Sequence, residues 1–204
     1  MSLQSFTQVT GKAAPMLAAN IDTDVIMPKQ FLKGIDRAGL DRGLFFDLRF
    51  LPDGSPNPEF VLNKPAWQGA SFMVVGPNFG CGSSREHAVW GLKQMGIRAL
   101  IGSSFAGIFY DNCQRNGVLL ITLEEAVLQR LGQVVSEPDS ALINVDLDAQ
   151  EIRLHAGQVI PFEIDTLRKT ALLLGLDAIG STLQRSEQIK AFERNHLAAN
   201  PWLN

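Results

Sequence analysis

One short segment of this chain combines the residue types that chemistry on a small anion requires. It runs from Pro77 to Ala88 and contains Ser83, Ser84 and Arg85. Its glycines allow tight turns, and the helix predicted to follow presents unpaired N–H groups and partial positive charge at its first turn. Arg85 adds a planar fork of donors that matches a carboxylate. The segment therefore predicts a site for an anionic ligand.

Structural explanations of the same residues stay open at this point. Ser83 lies three residues before Glu86, the spacing of a capping box, so its hydroxyl could simply satisfy amides at the helix start. His87, one turn into the helix, is typical of a partly buried structural histidine, and Cys81 alone is equally compatible with a structural role. A nucleotide loop is disfavoured because the Lys-Ser/Thr ending of a phosphate-binding P-loop is missing.

The composition indicates a globular protein and argues against several functional classes. The chain has 204 residues, of which 46% are hydrophobic and 19% charged, so it can bury a core and is not expected to be disordered. A formal charge of −3 and a pI near 5.6 argue against a nucleic-acid surface, which needs a basic stripe. No membrane partner is expected either, since no apolar run approaches the roughly 20 residues that span a bilayer.

Cysteine usage and the N-terminus predict a reduced compartment. The two cysteines, Cys81 and Cys113, are far apart and cannot form a disulfide framework, a structural zinc site or a three-cysteine cluster on this chain alone. The first six residues show neither a basic n-region nor an apolar h-region. A cytoplasmic protein without a metal ligand set of its own is therefore predicted.

The elements that must position the site alternate along the middle of the chain. Short apolar runs predict strands over 71–75, 98–102 and 118–122, and the stretches between and after them predict helices over 84–95, 105–116 and 124–131. Gly117 is the expected C-terminal cap of the second helix. Strand–helix–strand repetition at this spacing predicts right-handed crossovers and an α/β fold with a largely parallel sheet.

Beyond Pro138 the pattern changes to that of antiparallel strands. Strands are predicted over 143–147, 151–155 and 159–164, the last two paired around a turn, followed by short helices over 165–174 and 186–195. The stretch 28–65 is unusually long and irregular, as working or mobile loops tend to be. We interpret residues 1–204 as one domain, with a long substrate loop at about 28–65 and antiparallel strands and helices at about 140–204.

Three motifs, in order, resemble those of one protein superfamily. Residues 82–88, Gly-Ser-Ser-Arg-Glu-His-Ala, look like the signature of the swivelling domain of the aconitase superfamily. Residues 20–28 resemble its N-terminal motif, and residues 104–112 match its next helix start. The match continues through 57–63 and 175–180, and this wider pattern is similar to the bacterial small subunits of 3-isopropylmalate dehydratase. The resemblance covers nearly the whole chain.

The resemblance implies a fold, a reaction and a partner. The fold is a swivelling β/β/α domain of two sheet layers and a helix layer. The reaction is the dehydration of 2-isopropylmalate to 2-isopropylmaleate and its rehydration to 3-isopropylmalate, in leucine biosynthesis. A [4Fe–4S] cluster on a separate large subunit acts as Lewis acid in this family, so the chain itself is expected to carry no cofactor and to be active only as part of a heterodimer.

By resemblance, each motif also supplies site residues. Ser83 is expected to be the general base that removes a proton from the carbon next to a carboxylate, helped by helix-start amides and Arg85. Ser84 and Arg85 are expected to hold a substrate carboxylate. Asp24 is expected to line the site and orient polar groups including Arg85, although an Asx turn explains it as well.

Three further residues are expected to support this group from behind without touching the substrate, namely Thr23, His87 and Asn112. Asn112 and its neighbour Arg115 are also explained as ordinary surface polar residues of their helix.

The beginning of the long loop resembles the segment that discriminates substrates in this superfamily. Relatives that act on tricarboxylates use an arginine there, whereas isopropylmalate enzymes use apolar contacts. Phe31 and Leu32 fit an isopropyl group through apolar burial. Lys33 departs from this apolar pattern, because it is basic like the arginine of the tricarboxylate enzymes. Phe31 and Leu32 could also serve packing alone.

Two alternatives to this function stay open. The first keeps the reaction class and changes the substrate to citraconate, dimethylmalate or a homoaconitate-type acid. The second is a non-catalytic RNA-binding module, against which the acidic pI and the lack of an aromatic and basic surface pattern both count.

Overall fold

The computed structural model describes residues 3–33 and 38–203 and contains one seven-stranded sheet in the order β4-β3-β2-β1-β5-β6-β7. The strands are β1 (Gln8–Met16), β2 (Phe72–Val75), β3 (Ala99–Gly102), β4 (Leu119–Thr122), β5 (Leu142–Asp146), β6 (Glu151–Leu154) and β7 (Val159–Pro161).

One half of the sheet is parallel and the other half antiparallel. β1, β2, β3 and β4 pair in parallel, as the alternation of strands and helices predicts. β2 and β3 are buried along their whole length, which is the reason their sequences are continuous apolar runs. β1 also pairs antiparallel with β5, and the sheet continues antiparallel through β6 and β7. The predicted α/β class and the predicted pairing of the strands around residues 155–158 are both confirmed.

The central strand β1 was not predicted from the sequence. It contains Gly11 and Pro15, two residues that argue against a central strand. Glycine is required because a Cβ at Gly11 would lie 2.4 Å from the Oγ of Ser71. Pro15 stands opposite Val74 of the parallel neighbour, and Ala13 is fully buried. Small residues thus allow β1 to join the two halves of the sheet.

Eight α-helices accompany the strands in the part of the chain that the structure describes. They are α1 (Thr23–Ile26), α2 (Phe46–Arg49), α3 (Glu86–Met95), α4 (Gly107–Arg115), α5 (Glu125–Ser136), α6 (Thr166–Leu174), α7 (Ala178–Leu183) and α8 (Ser186–Ala199). The short helices α1, α2 and α7 were not predicted from the sequence either. Short 3₁₀ turns lie at Lys29–Leu32, Leu40–Arg42, Val61–Asn63, Pro65–Trp67, Pro138–Ser140 and Pro201–Leu203. Within the described residues no helix is long and apolar enough to cross a bilayer.

Two hydrophobic clusters separate the molecule into three layers. In one cluster, side chains from β1 to β4 meet helix α5 and the inner faces of β5, β6 and β7, so the two halves of the sheet lie against each other. In the other, the opposite face of the parallel half packs against α3, α4 and the long loop. The arrangement of sheet, sheet and helices is the predicted β/β/α layering.

The stretch 28–65 is irregular, as predicted, but much of it is packed. Its residues 34–37 lie outside the part of the chain that the structure describes. Leu40, Leu44, Phe45 and Phe60 are buried in the core on the helix side of the sheet. The backbone N–H of Phe45 donates to the carbonyl of Ile26 at 2.8 Å, which fixes the loop to the end of α1.

Candidate functional site

The two motifs that are far apart in sequence run side by side at one end of the sheet. The N–H of Asn20 donates to the carbonyl of Pro77 at 2.9 Å, and the N–H of Gly80 donates to the carbonyl of Ile21 at 2.8 Å. The N–H of Thr23 then donates to the carbonyl of Cys81 at 2.8 Å. Because these bonds follow one another closely along both segments, the N-terminal motif is the immediate support of the Ser83 segment.

Left-handed turns shape the Ser83 segment. Asn78, Gly80 and Gly82 have φ angles of 56°, 77° and 91°, which glycine and asparagine adopt most readily. At Gly80 a side chain is excluded a second time, because a Cβ there would lie 2.2 Å from Cγ of Phe109. The glycines of the motif therefore turn the chain outward, and Ser83 and Ser84 are exposed.

Thr23 holds the backbone at Ser83. Its side chain is buried, with 1% of the residue exposed, and its hydroxyl donates to the carbonyl of Ser83 at 2.7 Å. A buried hydroxyl is normally hydrogen-bonded, and this bond is the partner that Thr23 finds. The contact is the kind of supporting role that the sequence predicts for Thr23.

Asp24 and Arg85 form an ion pair beside Ser83. Nη1 of Arg85 donates to Oδ1 of Asp24 and also to the carbonyl of Met27 at 3.5 Å. The Arg85 side chain is only 11% exposed, whereas that of Asp24 is 44% exposed. Within the described residues, Nε and Nη2 of Arg85 donate no hydrogen bond, so part of the guanidinium fork remains for a ligand.

The charges around Asp24 keep its carboxylate ionised. The hydrogen bond from Arg85 is the main reason that the pKa of Asp24 lies below its ordinary value. Lys29 adds a smaller electrostatic contribution in the same direction, and desolvation of the carboxylate opposes both. Asp22, in turn, caps α1 by accepting the N–H of Val25 at 2.8 Å, so its role is structural.

The predicted capping box at Ser83 does not form. Helix α3 begins at Glu86 with Arg85 as N-cap, two residues later than the predicted start, and no side chain caps it within the described residues. The carboxylate of Glu86 instead accepts a hydrogen bond from Nδ2 of Asn116 at 2.7 Å. In the part of the chain that the structure describes, the Ser83 hydroxyl makes no hydrogen bond. The capping explanation of Ser83 is therefore wrong; the residue is exposed and lies two positions before Arg85 of the Asp24–Arg85 pair.

Asn116 connects α3 to the end of α4 behind the site. Besides its bond to Glu86, it accepts a hydrogen bond from Nε1 of Trp90 at 3.0 Å and donates to the carbonyl of Asn112 at 2.9 Å. The ring of His87 packs against Trp90 at 4.8 Å between centroids. His87 and the buried Asn112 thus lie in the packing behind the α3 start, and their participation in the site stays a prediction.

The proposed selectivity residues lie on the 3₁₀ turn that follows α1. Phe31 and Leu32 are partly buried and pack against the helix-side core, while Lys33 is exposed. The Phe31 ring contacts that of Phe46 at 5.0 Å, and Phe46 contacts Phe50 at the same distance. Phe31 and Leu32 each keep part of their surface exposed beside this row of rings.

Neither cysteine is part of a metal ligand set in the described chain. Cys113 is fully buried, and desolvation raises the pKa of its thiol well above the ordinary value, which disfavours the thiolate that metals need. Cys81 lies in the site segment with its side chain partly exposed. Across residues 3–33 and 38–203 no three His, Cys, Asp or Glu side chains come together as a metal site would require.

The candidate site is an open surface. A cavity of about 840 Å³ lies elsewhere, between α5 and the strands β6 and β7, and neither Ser83 nor Arg85 lines it. An exposed hydroxyl beside a half-paired guanidinium can bind an anion, but water is not excluded from it by this chain.

Sequence reasoning missed two contributors to the site. Lys29, whose charge lowers the pKa of Asp24, has the signal of a cation five residues after an acid, directly behind the N-terminal motif. Asn116, which fixes the start of α3, carries no recognisable signal, because its partners come from another helix.

Comparison with known proteins gives the class of this fold. A family model described as "Aconitase C-terminal domain" matches residues 3–126. A model described as "LeuD_N" matches residues 130–166, and one for the C-terminal domain of the 3-isopropylmalate dehydratase small subunit matches residues 179–204. A solved structure titled 3-isopropylmalate dehydratase from Methanocaldococcus jannaschii is similar with a TM-score of 0.66 and 27% identity, over 92% of this chain and 99% of that one. The chain is thus an aconitase-type swivelling domain.

Curated relatives narrow the class to one family. The 3-isopropylmalate dehydratase small subunit 1 of Mannheimia succiniciproducens is 61% identical over 98% of this chain and 99% of the relative. The small subunit 2 of Salmonella typhimurium is 59% identical over 98% of this chain and 96% of its own length. The chain belongs to the 3-isopropylmalate dehydratase small-subunit family, and the resemblance found in its motifs is confirmed.

Proposed function

We propose that this chain is the small subunit of a cytoplasmic heteromeric hydro-lyase that isomerises 2-isopropylmalate to 3-isopropylmalate through 2-isopropylmaleate, in leucine biosynthesis. The observation that carries the proposal is that the N-terminal motif and the Ser83 segment, far apart in sequence, lie in direct contact. Thr23 holds the backbone of Ser83, and Asp24 holds Arg85 beside it. Relatives 59–61% identical over nearly the whole chain bear the corresponding enzyme name.

Ser83 is the proposed base. It takes the proton from the carbon next to a substrate carboxylate, the electron pair of that C–H bond forms the double bond, and the hydroxyl leaves the neighbouring carbon. In the rehydration that gives the isomer, hydroxide adds to the carbon that lost the proton, and Ser83 delivers a proton to the carbon that lost the hydroxyl. The exposed, unbonded Ser83 hydroxyl and the nearby guanidinium support this role, because positive charge stabilises a serine alkoxide.

Arg85 and Ser84 are the proposed carboxylate binders. Nε and Nη2 of Arg85 offer a planar pair of donors, while Nη1 stays with Asp24. Because Asp24 is ionised, it fixes the orientation of the guanidinium before substrate arrives. Leu32 and Phe31 are proposed to contact the isopropyl group from the turn after α1.

The partner is proposed to be the large subunit of the same enzyme, as the small-subunit names of the relatives imply. A [4Fe–4S] cluster would supply a Lewis acid for the departing hydroxyl and takes cysteine thiolates as ligands. The two cysteines of this chain do not fit that set, since Cys113 is buried and Cys81 is isolated. We therefore place the cluster on the partner, and the open surface around Ser83 is where the partner would complete the site.

The test is reconstitution with a family large subunit under anaerobic conditions. We expect the complex to interconvert the two isopropylmalates, and the purified chain alone to contain no iron and show no turnover. Parallel assays with citraconate, dimethylmalate and a homoaconitate-type substrate separate the related hydro-lyases, and filter binding of RNA at low salt tests the non-catalytic alternative. Turnover by the chain alone, or a complex that prefers another substrate, would contradict the proposal.

A further inference from the structure

The ring of Phe31 rests directly on the backbone of Gly43. A Cβ added to Gly43 would lie 2.5 Å from Cγ of Phe31 and 2.9 Å from Sδ of Met27, both too close for real atoms. The φ angle of Gly43 is −86°, which any residue adopts. Glycine is therefore required here by the close approach of the ring and by nothing in the backbone conformation.

The backbone at Gly43 cannot retreat from the ring. Nη1 of Arg49 donates to the carbonyl of Asp41 at 2.6 Å and to that of Leu44 at 3.1 Å, so one guanidinium ties both sides of Gly43. Burial of this guanidinium lowers the pKa of Arg49, as expected for an arginine whose charged group is partly withdrawn from water.

The segment is also fixed from outside. Phe45, two residues on, is fully buried and donates its N–H to the carbonyl of Ile26. Met27, the other neighbour of Gly43, is fully buried as well and fills the space beside Gly91.

The Phe31 side chain is the part that can move. It is only partly buried, and beyond Gly43 it has a ring neighbour in Phe46 at 5.0 Å. Leu32 follows directly in the same 3₁₀ turn, so the two side chains are carried by one short backbone segment.

We infer that Gly43 is a positioning residue for substrate selectivity: its bare Cα seats the ring of Phe31 and so sets the place of Leu32 against the isopropyl group. This inference rests on the proposed function. Gly43 itself touches no substrate, and its effect runs through the ring. Arg49 and Phe45 make the seat rigid, which is why one added methyl group is expected to reach the substrate.

Gly43→Ala in the reconstituted complex is the direct test. The measured quantity is kcat/KM for hydration of 2-isopropylmaleate divided by that for citraconate, which carries a methyl in place of the isopropyl group. We expect this ratio to fall by about tenfold, the usual worth of altered methyl contacts. A ratio unchanged within about twofold would overturn the inference.

A double variant separates the ring from a general disturbance of the loop. Phe31→Ala removes Cγ and Cδ2, the two ring atoms that the new Cβ would meet first, so adding Gly43→Ala to it is expected to leave the ratio within about threefold of Phe31→Ala alone. Independent, additive effects of the two changes would contradict the inference. The comparison is informative even if Gly43→Ala alone fails to fold, because the double variant lacks the two ring atoms nearest to the new Cβ and leaves only the thioether of Met27 to shift among the three nearest atoms.

Gly132→Ala is the matched control. A Cβ at Gly132, in helix α5, would lie 2.9 Å from Cδ1 of the exposed Leu17, a milder clash with a side chain outside the loop. We expect its melting temperature to change and the substrate ratio to stay the same. A ratio that changes equally in both variants would refute a specific role of Gly43. A wild-type complex that hydrates neither compound would instead mean that the proposed function fails.

Discussion

The two segments of the proposed site are built in opposite ways. The segment around Ser83 is exposed and held from behind by backbone hydrogen bonds, left-handed turns and the Thr23 hydroxyl. The segment from Lys29 to Phe50 is held by buried apolar side chains and by rings that pack on one another. Hydrogen bonds fix the direction of a group, whereas packing fixes a shape. The first construction suits a reacting group and the second suits the discrimination of an apolar substituent.

Ser83→Ala, in the exposed segment, should have the largest effect on activity and almost none on stability. If Ser83 is the base, turnover of the complex should fall by about 10²–10⁴-fold, the range for loss of a general base. Stability should hardly change, since no hydrogen bond of the hydroxyl is lost. Steady-state assays and thermal melting of the variant measure the two effects.

Ser136→Ala is the matched control for that experiment. The Ser136 hydroxyl bonds to the carbonyl of Gly132 within α5, remote from the site, so activity should be retained. Retention of Ser83→Ala activity within about tenfold would remove Ser83 from the chemistry.

Arg85→Lys should give the next largest effect. Lysine keeps the charge but loses the planar fork, so we expect KM for 3-isopropylmalate to rise by about tenfold or more, as when a hydrogen bond to a charged group is lost. Arg153→Lys, in an exposed pair with Glu151 on β6, is the control that should change nothing. Unchanged KM and kcat for Arg85→Lys would move this guanidinium out of the site.

Leu32→Arg tests the packed segment. Arginine would place an unpaired charge against the isopropyl group, so kcat/KM for 3-isopropylmalate should fall by an amount equivalent to about 1–3 kcal/mol. A tricarboxylate should be spared in relative terms, because it offers the charge a partner. Leu167→Arg, at an exposed position of α6, controls for added charge. If the ratio of the two substrates does not change, selectivity is set elsewhere, with Lys33 or the partner as the next candidates.

The smallest expected effect is a change in the pKa of Asp24. Because Arg85 lowers its pKa in the folded chain, this pair stabilises the fold fully above the unfolded-state pKa, about 4. The contribution is lost as pH falls through the folded-state pKa. Arg85→Gln should raise the Asp24 pKa toward its ordinary value, measurable by carbon NMR of the carboxyl group in the isolated chain. An unaltered pKa would mean that the ion pair does not persist in solution.

Much of the fold follows from local pattern. The apolar runs of β2 and β3 predict strands directly, because both faces of these strands are buried and their sequences are therefore continuously apolar. The sequence of β1 does not predict a strand, because Gly11 and Pro15 have low strand propensity. Its pairing with β2 and β5 overrides that propensity. Tertiary contacts decided that strand.

The contacts of the candidate site could be predicted from the sequence only in part. The motifs brought Asp24 and Arg85 together as expected. The capping box at Ser83 was wrong because Glu86 found Asn116, a partner from outside its own helix. The close approach of the Phe31 ring to Gly43 joins two residues of the long loop, and no periodicity in the sequence predicts such a contact.

The central claim is that Ser83 removes the proton from the substrate carbon. Its most direct test is solvent-deuterium exchange by the complete complex, with 2-isopropylmalate incubated in deuterated water and recovered for mass spectrometry. The wild-type complex should introduce deuterium at the carbon that gains or loses the proton, whereas Ser83→Ala should bind substrate and introduce none. Exchange by Ser83→Ala at a rate close to that of the wild type would contradict the claim.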